Sequence, residues 1–165
     1  MEHPKSIGDR TTLAVMMALD AIGARFLVPF GENARYDLVI DEQTRLARVQ
    51  CKTGRLRRGA VSFRVCSMYL HHPNPKIHSR DYHGEVDYFA VYCRETTGVY
   101  LVPIADLPTK TSASLRVEPA RNSQRRRIRS ASDYLIAYVS ATQAQRTDFA
   151  TERRRVMPGA AGSSA

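Results

Sequence analysis

The sequence predicts one α/β domain: a mixed central β-sheet flanked by helices. Three observations carry this expectation. The chain has 165 residues, the length of one compact domain. Hydrophobic residues make up 43%, enough to fill a core. The patterned segments run in the order helix, strands, helix.

Residues 11–23 read as the first helix. Leu13, Met16, Met17 and Leu19 recur at helical spacing, Asp9 or Thr11 caps the start, and Gly23 stops it. Arg25-Phe26-Leu27-Val28-Pro29 reads as a strand that ends at its proline. After a turn through Gly31-Glu32-Asn33 comes the β-prone run Tyr36-Asp37-Leu38-Val39-Ile40. A polar turn, Asp41 to Thr44, connects it to the alternating run from Leu46 to Lys52, and the two runs make a hairpin. Val61 to Met68, Val86 to Cys93 and Val99 to Pro103 supply further strands. His71 to Gly84, rich in His, Pro and Asn, is long for a connection and reads as a functional loop. Leu115-Arg116-Val117 is one more short strand. Ile128 to Val139 reads as a closing helix, with Ile128, Ala131, Leu135 and Tyr138 on one face. The domain is thus expected over 5–141, followed at 142–165 by a disordered basic tail that contains Arg153, Arg154 and Arg155.

The formal net charge is +9, and the sequence pI is about 9.9. This favours an anionic partner, either nucleic acid or an acidic membrane surface. No apolar run reaches membrane-spanning length, and the N-terminal residues lack a signal-peptide core, so a cytoplasmic protein with no membrane partner is expected. Cys51, Cys66 and Cys93 are odd in number and lie in apolar strands, which fits reduced core thiols. His71, His72, His78 and His83, with Cys66, match no standard zinc spacing.

Chemistry concentrates on the hairpin. Side chains alternate along a strand, so Gln50 and Lys52 share one face and Cys51 takes the other. If that face also carries Asp37, a carboxylate, an amide oxygen and an ammonium converge. A hard cation such as Mg²⁺ takes carboxylate and carbonyl oxygens, and a neighbouring lysine can stabilise charge developing on a phosphate.

Tyr36-Asp37, twelve intervening residues, then Gln50-Cys51-Lys52 resembles the PD-(D/E)XK nuclease superfamily. Within it, the likeness is to the group I intron homing-endonuclease branch, which carries Gln where most relatives have Asp or Glu. The flanks add to it: Pro29-Phe30-Gly31-Glu32-Asn33-Ala34-Arg35 before the hairpin and Thr53-Gly54 after it. Gly84-Glu85-Val86-Asp87-Tyr88-Phe89-Ala90-Val91-Tyr92 and Val99-Tyr100-Leu101-Val102-Pro103 look like the later strands. The resemblance implies a restriction-endonuclease-like core and a DNA endonuclease of homing or restriction type. It makes Asp37 and Gln50 the metal ligands for Mg²⁺ or Mn²⁺, and Lys52 the catalytic lysine. Many relatives carry a Glu in the first helix, where this chain reads Thr11-Thr12-Leu13-Ala14-Val15. Glu2, Asp9 and Glu32 are the carboxylates that could replace it.

Around the hairpin, Arg35, Arg45, Arg48, Arg55, Arg57 and Arg58 form an expected phosphate-contacting rim. A second basic cluster includes Arg121, Arg125, Arg126, Arg127 and Arg129, with Arg125 and Arg126 as expected DNA contacts. The expected substrate is double-stranded DNA. Because one site cuts one strand, a homo-oligomer, dimer or tetramer, is also expected. Two other readings remain open on the same fold: a catalytically inactive DNA-binding module, and a resolvase selective for Holliday-type junctions.

Overall fold

The computed structural model describes residues 3–31, 33–71, 74–119 and 128–139. Arg121, Arg125, Arg126, Arg127, the tail at 142–165, and the candidate acids Glu2 and Glu32 lie outside the described residues.

Helix α1 (Pro4–Ala21) begins about two turns earlier than the sequence suggested. Pro4 needs no N–H partner in the first turn, and the His3 side chain accepts from the Lys5 N–H at 3.3 Å, so the cap forms there. Neither Asp9 nor Thr11 caps it. Thr11 lies inside the helix and returns its hydroxyl hydrogen to the Ile7 carbonyl at 3.0 Å. The helix ends where expected. Gly23 takes φ +71°, its N–H donates to the Asp20 carbonyl and that of Ala24 to the Leu19 carbonyl, closing a Schellman motif.

The strands that follow are β1 (Arg25–Leu27), β2 (Leu38–Asp41), β3 (Leu46–Arg57), β4 (Ala60–Arg64), β5 (Cys66–His71), β6 (Asn74–Asp81), β7 (Tyr88–Cys93), β8 (Gly98–Pro103), β9 (Ser112–Arg116) and β10 (Leu135–Tyr138). The main sheet has the order β1-β2-β3-β7-β8-β10. Only its β3–β7 pair is parallel, so the sheet is mixed, as the sequence predicted. The far end of β3 leaves this sheet to pair with β4, which pairs in turn with β9. Arg58 and Gly59 join β3 to β4, both with positive φ, as a tight hairpin turn requires.

Three expectations are corrected. The closing helix is not formed: residues 131–133 make one 3-10 turn, and Leu135–Tyr138 is a strand along β8. The open edge of β8 offers backbone partners that local spacing cannot foresee, and the stretch is rich in Tyr, Ile and Val. Leu135 packs to one side of the sheet and Ile136, Ala137 and Val139 to the other. α1 is therefore the one α-helix among the described residues. The run from Val61 to Met68 divides at Val65, whose N–H donates to the Thr111 carbonyl. The expected loop at 71–84 is mostly strand: β6 pairs antiparallel with β5 as a separate ribbon.

Two cores sandwich β3 and β7. On one side α1 packs through Val15, Ala18 and Leu19 against Val49, Cys51, Ala90 and Tyr92. On the other, Phe89, Val91 and Cys93 meet Val61, Phe63, Tyr82 and Leu115. The alternation of β3 thereby sends Cys51 and Thr53 toward α1 and Gln50 and Lys52 the opposite way. Cys51, Cys66 and Cys93 are free and buried.

Candidate active site

Asp37 stands one residue before β2, yet it is already in register. Its N–H donates to the Val49 carbonyl at 2.9 Å, extending the β2–β3 ladder, in which Leu38 pairs with Val49. The hairpin turn holds that register: the Glu42 N–H donates to the Arg45 carbonyl, and Asp41 accepts from the Gln43 N–H. Asp37 consequently lies opposite Gln50. Its Oδ2 accepts from Gln50 Nε2 at 2.5 Å and from the Cys51 N–H at 2.8 Å. Burial pushes the Asp37 carboxyl above its ordinary range, opposed by the Cys51 N–H, the Lys52 charge and the Gln50 amide.

Gln50 spends its N–H₂ on Asp37 and, at 3.5 Å, on the Cys51 carbonyl. Among the described residues, Gln50 Oε1 and Asp37 Oδ1 receive no hydrogen bond. Two hard oxygens on neighbouring strands, one with a desolvated charge, form a donor set that suits an oxygen-binding divalent cation. The set is poor in carboxylates. Among the described residues, no three His, Cys, Asp or Glu side chains group to hold an ion. Asp9 is exposed on α1. In the part of α1 where a helix carboxylate was sought, Thr12 instead returns its hydroxyl hydrogen to the Gly8 carbonyl at 3.3 Å.

Lys52 lies on the Gln50 side of β3. Its Nζ donates to Tyr82 Oη at 3.2 Å and sits 4.5 Å from the centre of the Tyr82 ring. Tyr82 is only 5% exposed and packs edge-on against Phe89 with ring centres 5.6 Å apart. Arg35 also stacks on the Tyr82 ring, at 4.2 Å. Three acceptors hold its guanidinium: Glu85 at 2.6 Å, Ser67 Oγ at 2.8 Å and the Asp81 carbonyl at 2.8 Å. Glu85 also pairs with Arg80, and these two arginines draw its carboxyl below the usual range, Arg35 most. The wall beside Lys52 is thus tied from β5, the end of β6 and the turn before β7.

The sequence brought Asp37, Gln50 and Lys52 together, and the structure does so too. It missed Tyr82. No local signal marks it, because its partner Lys52 is 30 residues away. Arg35 faces internal acceptors. Arg48 is half-exposed, its guanidinium donating to the Gly84 carbonyl and standing 3.6 Å from Asp87. Asp87 accepts from the Arg48 N–H at 2.7 Å and pairs with Arg45. Arg55, Arg57 and Arg58 are exposed at the other end of β3.

No helix among the described residues is long and apolar enough to cross a membrane. No curated protein matches the chain. The solved structure of a bacterial homing endonuclease, I-Ssp6803I, has a similar fold, with a TM-score of 0.65 and 21% sequence identity over 92% of this chain and 99% of that one. The family model described as PD-(D/E)XK endonuclease matches residues 2–137, most of the chain's length. The chain therefore belongs to the PD-(D/E)XK endonuclease family.

Proposed function

We propose that the protein is a metal-dependent DNA endonuclease of homing or restriction type, with Asp37, Gln50 and Lys52 as its working residues. One observation carries this reading: the Asp37–Gln50 pair presents two oxygens that no described residue hydrogen-bonds, on the hairpin that also carries Lys52. Asp37 and Gln50 would hold Mg²⁺ or Mn²⁺, which when bound polarises a phosphate and lowers the pKa of a water molecule. Lys52, held against the Tyr82 ring, places positive charge where charge develops on the phosphate. Gln50 keeps the Asp37 carboxylate oriented, and Cys51 anchors it through the backbone.

Exposed Arg55, Arg57 and Arg58, with half-exposed Arg48, support contact with the backbone of double-stranded DNA. Arg35 supports it indirectly, by fixing the wall beside Lys52. Cutting both strands of a duplex takes two such sites, which favours a homo-oligomer.

The low carboxylate count favours a second reading, a DNA-binding module that does not cleave. Plasmid DNA incubated with the protein separates the two. The first reading expects nicking or linearisation in Mg²⁺ or Mn²⁺ that EDTA, Asp37→Ala and Lys52→Ala each abolish. Cleavage that survives both substitutions would sink it. Salt-sensitive binding with no cleavage in either metal would favour the second.

A further inference from the structure

A small open pocket lies on the α1 side of β3, across the strand from Gln50 and Lys52. Arg10 and Thr11 of α1, Thr53 and Arg55 of β3, and Tyr92 with Arg94 at the end of β7 line it. Its cavity is about 30 Å³, room for an oxygen of an anion but not for an organic ring. The parallel register pairs Gly54 with Cys93, so Arg55 and Arg94 leave adjacent strands side by side. Placing like charges next to each other on a sheet is unfavourable unless something offsets them.

Arg25, Arg35, Arg45, Arg48 and Arg80 each have an ion pair within the molecule. Arg55 and Arg94 have none within 4.0 Å among the described residues. Glu95 feels the Arg55 charge, but its carboxylate accepts from the Cys93 thiol at 3.3 Å. The two threonines supply the floor and not the charge. Thr11 donates to Ile7, so Thr53 must be the donor in their 2.7 Å contact, and both hydroxyl hydrogens are spent. Recognition therefore falls to the guanidinium groups, whose fork geometry matches phosphate oxygens.

We infer that this pocket is a phosphate site, distinct from the Asp37–Gln50–Lys52 site, and that a backbone phosphate of bound nucleic acid fills it. The inference rests on the nucleic-acid reading above for the source of the phosphate, and on the pocket alone for its chemistry. The test measures affinity for a labelled duplex by fluorescence anisotropy between 50 and 200 mM salt. Arg55→Ala and Arg94→Ala should each flatten the dependence of log affinity on log salt by about 0.9, one phosphate contact. A fourfold rise in salt then costs them about 3.5-fold less affinity than it costs the parent. The double variant should lose no more slope than either single one, because both arginines hold one anion. Arg94→Lys should retain most of the slope, and Arg25→Ala, whose partner is Asp41, should leave it unchanged.

In a second arm, inorganic phosphate at matched ionic strength should raise the melting midpoint of the parent and not of Arg94→Ala. Unchanged slopes in Arg55→Ala and Arg94→Ala, with the parent still binding duplex, would overturn the inference. A phosphate response that Arg94→Ala removes, in a parent that binds no DNA, would leave a free-phosphate site. That outcome would refute both the backbone assignment and the nucleic-acid reading.

Discussion

Replacing Tyr82 with phenylalanine removes one oxygen and leaves the ring in place. Lys52 Nζ then loses its 3.2 Å acceptor but keeps the ring face 4.5 Å away, and Arg35 stays stacked on the ring. A hydrogen bond from a charged donor is worth roughly 1.5–3 kcal/mol. Lys52 is half-exposed, so water replaces part of that, and about 1 kcal/mol remains as lost positioning. If that energy is expressed in the chemical step, the rate falls about fivefold. Tyr82→Leu also removes the stacking and the edge contact with Phe89, about 1–2 kcal/mol more, together with core packing. It should slow the reaction further and lower the melting midpoint, whereas the phenylalanine variant should melt close to the parent. Single-turnover cleavage at saturating enzyme isolates the chemical step, and duplex affinity measured in Ca²⁺ isolates binding. The reasoning requires a slower step at unchanged affinity. A Tyr82→Phe variant that cleaves at the parental rate, or whose affinity falls in step with its rate, would refute it.

Asp37→Asn should abolish cleavage yet raise the melting midpoint in metal-free buffer at pH 7. Burial holds the Asp37 carboxyl above its ordinary value, so the folded chain binds this proton more tightly than the unfolded chain does. Stability from this group is therefore full below the ordinary Asp value and is lost as pH rises through the raised one. The gap between variant and parent should close as the pH is taken below the ordinary Asp value, and thermal melts across pH check both points. Gly54→Ala should destabilise the fold by about 1–3 kcal/mol. A Cβ there would stand 2.6 Å from Val61 Cγ1 and 2.9 Å from Val91 Cγ1, and both valines are fully buried. Urea unfolding measures this directly, and a variant as stable as the parent would show that the strands can part at no cost.

The parts of the site that were legible in the sequence are those set by local rules. The turn after Asp41 and the alternation from Leu46 to Lys52 fix which side chains share a face, and the β2–β3 register then follows. Gly23 ends α1 because its positive φ is a backbone requirement carried by one residue. What was missed depends on distant partners. Tyr82 reads like any core tyrosine until the fold brings it to Lys52. Arg35, adjacent in sequence to the hairpin that carries Asp37, reads as a phosphate contact until Glu85, Ser67 and Asp81 close around it. Leu135 to Tyr138 satisfies a helical spacing, but the free edge of β8 supplies the hydrogen bonds that make it a strand. The adjacency of Arg55 and Arg94 exists only through the parallel pairing of β3 with β7.

The central claim is that Asp37 and Gln50 together hold the cation that Lys52 works beside. Locating Mn²⁺ by anomalous scattering in crystals of the parent and of Asp37→Asn tests it most directly. The account predicts an ion in the parent bound by Asp37 Oδ1 and Gln50 Oε1, and none at that position in the variant. An ion elsewhere on the molecule, or one on Asp37 with the Gln50 oxygen turned away, would contradict it.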